Sequence, residues 1–403
     1  MDAIDLERRH GARNYDPLPV EIEHGEGVWL YDRRGRRYLD MMSAYSAVSH
    51  GHRHPRIVAA AIAQLSRVAV VSRAYHASAL GPFLAKLSEL TGFECALPMN
   101  SGAEAVETAI KAVRRWGYRV RGIPPGRAEI LVARNNFHGR TTTIISASTE
   151  PDYRRDFGPF TPGFAHFDFG DIDSVRAAIG PNTCAVLVEP IQGEAGVVVP
   201  PDGFLRALRT LCDEHNVLLV LDEVQSGLGR TGRMFAFQHE GIRPDGLILG
   251  KALGGGLLPV SAFCADRPLM DQFEPGSHGS TFGGNPLAAA VGLEALRVLE
   301  EEDLVGNSAR LGDHLRAGLA AIRSPLVRAV RGRGLWVGVE IDAARVPARR
   351  LCEVLISHEV LTKDAHETVL RFAPPLVITR EQIDWGLERI AAAFRQSELA
   401  RAA

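Results

Sequence analysis

Three short segments carry residue types that could do chemistry together. Lys251 sits in Gly250-Lys251-Ala252-Leu253-Gly254-Gly255-Gly256, directly after the apolar run Leu247-Ile248-Leu249. A lysine at a strand-to-loop junction can bring its amine close to a bound ring. Desolvation or a neighbouring cation then lowers its pKa and makes it nucleophilic. Asp222 closes the apolar run Leu218 to Asp222 and is followed by Glu223-Val224-Gln225. The carboxyl end of such a strand faces the crevice where open α/β sheets bind ligands. A carboxylate buried there needs a cationic partner. A protonated pyridine nitrogen is one, and keeping that proton turns the ring into an electron sink. Asn100-Ser101-Gly102-Ala103-Glu104 contains a Ser-x-x-Glu capping box opening a helix whose apolar face is Val106, Ala109, Ile110 and Val113. Free N–H groups at such a helix start suit an anion, typically a phosphate. Each segment also has a plainer reading: a surface lysine on a flexible loop, a strand-end aspartate capping a turn, an ordinary capped helix.

Two further patterns compete for attention. Gly227-Leu228-Gly229-Arg230-Thr231-Gly232 matches the dinucleotide-binding Gly-x-Gly-x-x-Gly, but no helix opening follows in Arg233 to Phe237. The Lys251 loop is no Walker loop, because Ala252 stands where Ser or Thr is required. His52 and His54 flank Arg53 without a third ligand nearby, which points to structural histidines and no metal site.

The elements that must hold these residues follow from periodicity. Short apolar runs at Ile130 to Ala133, Ala185 to Glu189, Leu218 to Asp222 and Gly246 to Leu249 predict strands. Between two of them, Phe204 to Glu214 has helical spacing, with Leu205, Leu208, Leu211 and Cys212 on one face. Such alternation is the signature of a parallel sheet with helical crossovers. Val28 to Tyr31 and Arg37 to Asp40, around the Asp32 to Arg36 turn, predict a hairpin. Leu287 to Glu302 predicts a long helix, followed by strands such as Trp336 to Ile341 and Val369 to Phe372. The expected division is an N-terminal segment 1–49 belonging to a small lobe, a large domain 50–290, and a C-terminal small α+β domain 291–403. At 403 residues the chain exceeds what one core fills.

Composition excludes several function classes. A net charge of -2 with no long single-sign block implies neither nucleic acid nor an acidic membrane surface as partner. Five scattered cysteines without Cys-x-x-Cys give no disulfide framework or zinc site and suggest reduced thiols in the cytoplasm. The acidic start Met1-Asp2-Ala3-Ile4-Asp5 reads as neither signal nor transit peptide, and no apolar run approaches a membrane span.

Taken together, Phe137-His138-Gly139-Arg140-Thr141, Glu189-Pro190-Ile191-Gln192-Gly193-Glu194, Asp222 to Gln225, Lys251 and Gly279-Ser280-Thr281-Phe282-Gly283-Gly284-Asn285-Pro286 resemble, in order and over essentially the whole chain, the class III (ω-amino acid) aminotransferases. These belong to the pyridoxal phosphate (PLP) fold-type I superfamily. The resemblance implies an α/β fold with a mostly parallel seven-stranded sheet flanked by helices, plus a smaller α+β domain from the two chain ends. It implies that Lys251 holds PLP covalently and shuttles protons, that Asp222 pairs with the pyridine nitrogen, and that Gln225 lies near the ring hydroxyl. Phe137 would stack on the ring with His138 beside it. Ser101, Gly102 and Ala103 would serve the phosphate, reached by Thr281, with Ser280 next to it, from the neighbouring subunit of at least a dimer.

Within the family, Asn14 to Val20, Ser43-Ala44-Tyr45-Ser46-Ala47-Val48, Gly193 to Pro200 and Arg371 to Leu376 are most similar to the branch that takes the δ-amine of ornithine. That similarity implies that Tyr15 and Arg140 hold the α-carboxylate of ornithine and Tyr45 its α-amine. Glu194 and Arg371 would form a switch, Arg371 binding 2-oxoglutarate or glutamate in one half-reaction and masked by Glu194 in the other. A buried guanidinium without a counter-charge costs about 3–5 kcal/mol, so a site serving two substrates needs a movable partner. His138 stands where ornithine-type members usually carry Trp and acetylornithine-type members often carry His, whereas Tyr45 favours ornithine. Acetylornithine or 4-aminobutyrate transamination, a PLP racemase or aminomutase, and a non-enzymatic scaffold are the competing readings.

Overall fold

The computed structural model describes residues 3–402; Met1 and Asp2, the first residues of the acidic N-terminus, and Ala403 lie outside the described residues. Near the N-terminus, β1 (Ile22–Glu26), β2 (Trp29–Asp32) and β3 (Arg37–Asp40) form an antiparallel meander. The Asp32–Arg36 turn expected between β2 and β3 is closed by Asp32, whose Oδ1 accepts the N–H groups of Arg34 and Arg36, both at 2.9 Å.

The central sheet uses β4 (Cys95–Met99), β5 (Glu129–Ala133), β6 (Phe164–Phe167), β7 (Thr183–Val188), β8 (Leu218–Asp222), β9 (Gly246–Leu249) and β10 (Ser261–Ala265). Their order is β4-β10-β9-β8-β7-β5-β6, and β10 alone runs against the rest. The expected mostly parallel seven-stranded sheet is therefore present. β4, with Pro98 inside it, lies at the sheet edge, where a missing N–H removes no ladder bond on the outer side.

Period-two alternation splits the strand side chains between the two faces. Ile130, Val132, Val220 and Ile248 meet Val106, Ala109, Ile110 and Val113 of helix Gly102–Arg119. Leu131, Leu219, Leu221 and Leu247 face the opposite layer, where helix Phe204–Glu214 buries Leu205, Leu208, Leu211 and Cys212. Both helices carry the apolar faces predicted from spacing, and each fully buried Val, Ile or Leu is worth about 1.5–3 kcal/mol.

Helix Pro286–Glu301 packs on helices Pro55–Leu65 and Leu80–Thr91 and leads out of the central sheet. Beyond it come β11 (Val327–Gly332), β12 (Val337–Ile341), β13 (Val360–Leu361), β14 (Lys363–Ala365) and β15 (Val369–Phe372). Four of them form the antiparallel sheet β11-β12-β15-β14, whereas β13 pairs in parallel with β3. Residues from both ends of the chain thus share one sheet beside the large one. Among the described residues, no helix is long and apolar enough to cross a membrane.

Candidate active site

The loops after β4, β5, β7, β8 and β9 leave the same edge of the central sheet, the carboxyl ends of its co-directional strands. They enclose a cavity of about 180 Å³ lined by Gly102, Ala103, Phe137, His138, Glu189, Asp222, Gln225 and Lys251, among others. Lys251 follows the extended Gly250 and adopts φ +44°, a left-handed conformation unusual for a lysine. Its ammonium Nζ donates to Gln225 Oε1 at 3.1 Å. Burial pulls its pKa below the ordinary lysine value, against the nearby charges of Glu194, Asp222 and Glu189. The amine gives up its proton more readily than one in water.

Asp222 is held from two sides: Oδ1 accepts the Val224 N–H at 3.1 Å, and Oδ2 bonds His138 Nδ1 at 2.7 Å. Burial works against a charged His138 imidazole, but the Asp222 bond and the charges of Asp222 and Glu189 outweigh it, so its pKa is raised. His138 Nε2 is buried and has no hydrogen-bond partner among the described residues. Glu189, immediately after β7, completes an acidic group that the sequence patterns did not single out. Its carboxylate accepts the N–H groups of Phe137 at 2.9 Å and Gly193 at 3.3 Å. Burial pushes its pKa up to about 7, with His138 opposing and Asp222 assisting. The signal for Glu189 was the one used for Asp222, a carboxylate ending a buried strand.

The capping box determines which helix N–H groups remain free. Ser101 Oγ accepts the Glu104 N–H at 3.2 Å, and Glu104 Oε2 accepts those of Ser101 at 2.8 Å and Asn100 at 2.9 Å. The N–H groups of Gly102 and Ala103, in the first turn and at the cavity wall, are left for an anion. A Cβ at Gly102 would sit 3.0 Å from Val224 Cγ1, so any larger residue there would push that side chain aside. Ser101, Ser280 and Thr281 are not in the cavity wall. Ser280 Oγ accepts from Asn100 Nδ2 at 2.9 Å, which ties its loop to the base of that helix, and Thr281 is exposed.

Tyr15, Tyr45, Arg140, Glu194 and Arg371 are not in the cavity wall, but the charges of Glu194 and Arg371 reach Lys251. Arg371, on β15 and nearly buried, donates from Nη1 to Glu194 Oε1 at 2.7 Å and from Nη2 to the Asp364 carbonyl at 3.1 Å. Its guanidinium lies 5.0 Å from the centroid of the Tyr45 ring. Tyr45 belongs to four successive left-handed residues, Ser43 to Ser46, with φ from 42° to 73°. Burial raises the Tyr45 pKa, and Tyr15, itself exposed, is within electrostatic reach of it. The guanidinium of Arg140 sits 4.5 Å over the Tyr153 ring, which packs edge-on against Phe137 at 5.8 Å. Tyr153 was not anticipated.

The competing patterns take structural places. His52 Nε2 bonds Asp40 at 2.7 Å and His54 Nε2 bonds Glu302 at 3.1 Å. Gly227 to Gly232 forms consecutive turns followed by the short 3-10 helix Ala236–His239 and no α-helix, and its Arg230 is fully buried.

This set of donors fits pyridoxal phosphate. An amine whose pKa burial lowers suits the aldehyde, and a buried carboxylate the ring nitrogen. Phe137 supplies an aromatic flank, and two free N–H groups await the phosphate. The class-III aminotransferase family model matches residues 10–394. Ornithine aminotransferase 2 of Staphylococcus aureus is 54% identical over 392 residues, 97% of this chain and 98% of that protein. The solved ornithine aminotransferase of Toxoplasma gondii superposes with TM-score 0.98 at 42% identity, covering 99% of this chain and 95% of that one. An acetylornithine aminotransferase from Elizabethkingia anophelis gives TM-score 0.90 at 48% identity, covering 98% of both. Matched end to end in sequence and in fold, this chain belongs to the class-III aminotransferases.

Proposed function

We propose that the protein transfers the δ-amino group of L-ornithine to 2-oxoglutarate, giving glutamate 5-semialdehyde, which cyclises to pyrroline-5-carboxylate, and glutamate. The observation that carries this reading is the Arg371–Glu194 pair beside Tyr45, both charges being within electrostatic reach of Lys251. When bound, pyridoxal phosphate supplies a protonated ring that accepts electrons from the substrate carbon and carries the amino group between substrates.

The chain's own groups do the rest. Lys251 holds the cofactor and moves a proton at the substrate carbon. Asp222, oriented by His138, keeps the ring nitrogen protonated, Phe137 flanks the ring, Gln225 lies by its hydroxyl, and Gly102 and Ala103 hold the phosphate beside the Ser101 cap. Tyr15 and Arg140 take the α-carboxylate of ornithine and Tyr45 its α-amine, which presents the far amine to the site. Glu194 masks Arg371 in that half-reaction and releases it when a five-carbon diacid enters.

We further infer a homodimer in which Thr281, with Ser280, completes the neighbour's phosphate site. The exposed apolar residues Ile62, Leu65, Val68, Val70, Tyr75 and Phe282 suit burial against a second copy. Five free cysteines, four of them buried, fit a reducing cytoplasm. The product would place the reaction between arginine degradation and proline biosynthesis.

The test is kcat/KM for ornithine, N-acetylornithine and 4-aminobutyrate with 2-oxoglutarate. A pocket that hydrogen-bonds a free α-amine rejects an analogue lacking it by up to about 10⁴-fold, so ornithine should lead clearly. Preference for N-acetylornithine, a reading favoured by His138 and by the likeness to an acetylornithine aminotransferase, would overturn the assignment.

A further inference from the structure

The Gly227–Gly232 segment matched a phosphate-binding pattern, yet in the fold it serves another purpose. It delivers Arg230, fully buried, into the junction between the large sheet and the small lobe. Nη1 donates to the carbonyls of Leu335 at 2.9 Å and Pro374 at 2.6 Å. Nη2 donates to the hydroxyls of Ser43 at 3.2 Å and Ser49 at 2.9 Å. Ser43 passes the connection on, donating to the Ala373 carbonyl at 2.5 Å. The Arg230 carbonyl accepts from Ser308 Oγ at 3.0 Å, and that oxygen accepts the Leu335 N–H at 3.1 Å.

Three of the four acceptors belong to segments that carry the substrate groups. Ser43 and Ser49 bracket the turn bearing Tyr45, and Pro374 follows Arg371 by three residues. No carboxylate hydrogen-bonds this guanidinium among the described residues; its hydrogen-bond partners are carbonyls and hydroxyls. Burial lowers its pKa to about 9, against the charge of Asp40. Stability alone favours apolar packing at such a position. What a rigid planar fork contributes is geometry, since it fixes several acceptors relative to one another at once. The Ser43–Ser46 turn needs that, because consecutive left-handed non-glycine residues persist only where their surroundings over-determine them.

We propose that Arg230 is a positioning residue for substrate recognition, locking the Tyr45 turn and the chain just beyond Arg371 into one register against the loop that follows Gln225. It touches neither cofactor nor substrate and acts through both recognition groups. This inference rests on the assignment of Tyr45 and Arg371 as substrate groups.

The test compares Arg230→Lys, which keeps the charge and loses the fork, with the double variant Ser43→Ala, Ser49→Ala, which removes two acceptors and leaves the guanidinium. Each is loaded with pyridoxal phosphate and assayed with the donor that the parent uses best and with 2-oxoglutarate. Displacing recognition groups by a fraction of an ångström should raise both KM values by about tenfold in Arg230→Lys and by about threefold in the double variant. Cofactor affinity and visible absorbance should stay within about twofold of the parent, which a merely structural defect would not spare. Should Arg230→Lys fail to fold, the double variant decides. Unchanged KM values for both substrates, or a loss confined to cofactor affinity, overturn the proposal. Failure of the parent to use ornithine would sink the substrate assignment and leave this test intact.

Discussion

Replacing Glu194 by Gln isolates the masking of Arg371. The pair is 2.7 Å apart, with the Arg371 side chain 6% and the Glu194 side chain 24% exposed, so solvent screens it weakly. A hydrogen bond to a charged group contributes about 1.5–3 kcal/mol. The variant keeps an oxygen in reach of Nη1 but loses the anion, so an ion pair becomes a cation–amide contact and roughly half of that contribution is lost. The incoming diacid must break this contact before it can bind. About 1.4 kcal/mol of that opposition therefore disappears, equivalent to a tenfold change. KM for 2-oxoglutarate should fall about tenfold, while kcat/KM for ornithine falls because a less masked Arg371 draws its α-carboxylate into the wrong pose. The Asp364 carbonyl and the Tyr45 ring still hold the guanidinium, so the fold survives. Single-turnover absorbance changes with glutamate and with ornithine report the two half-reactions separately. A KM for 2-oxoglutarate that is unchanged or higher, in a variant that melts like the parent, would refute the masking argument.

Other perturbations have defined outcomes. Lys251→Ala should lose the visible absorbance of bound cofactor and reduce turnover at least about 10³-fold, the scale of a lost proton-transfer group; retention of either contradicts the role assigned to this amine. His138→Phe removes the 2.7 Å partner of Asp222 and should weaken cofactor retention about tenfold in a dialysis assay, with unchanged retention as the contrary result. For Glu189 the folded pKa of about 7 lies above its ordinary 4.5, so its favourable contribution is complete below pH 4.5 and is lost as pH rises towards 7. Relative to Glu189→Gln, the parent should lose on the order of 3 kcal/mol of unfolding free energy across that window. Urea titrations that keep a constant difference between the two would show the carboxyl is not perturbed.

Which parts could be read before folding follows from the physics of each element. β8, β9 and helix Phe204–Glu214 match their expected ends, because unbroken apolar runs and clean helical spacing mark them. β4, β6 and β10 escaped notice. Cys95-Ala-Leu-Pro-Met contains a proline that only an edge strand tolerates, Phe164-Ala-His-Phe is short, and Ser261-Ala-Phe-Cys-Ala is built largely of small residues. β1, interrupted by Gly25 and with Ile22 as its one apolar side chain, has no apolar stripe. In the site, Lys251 and Asp222 were legible because strand ends advertise ligand groups. Tyr153 and Arg230 were not, since their roles arise from contacts with Arg140, Phe137 and Ser43, distant in sequence, that no local pattern encodes.

The parallel pairing of β3 with β13 has a temporal consequence. Leu39 meets Val360, roughly 320 residues later in the chain. At about 5–20 residues per second on the ribosome, the amino-terminal hairpin waits some 16–64 s with that edge open. The central sheet can close during this interval, whereas the Tyr45 turn, only a few residues beyond β3, acquires its supports last. A nascent chain stalled before β13 could therefore complete the cavity around Lys251, yet would lack Arg371 and the strand that closes the edge beside the Tyr45 turn.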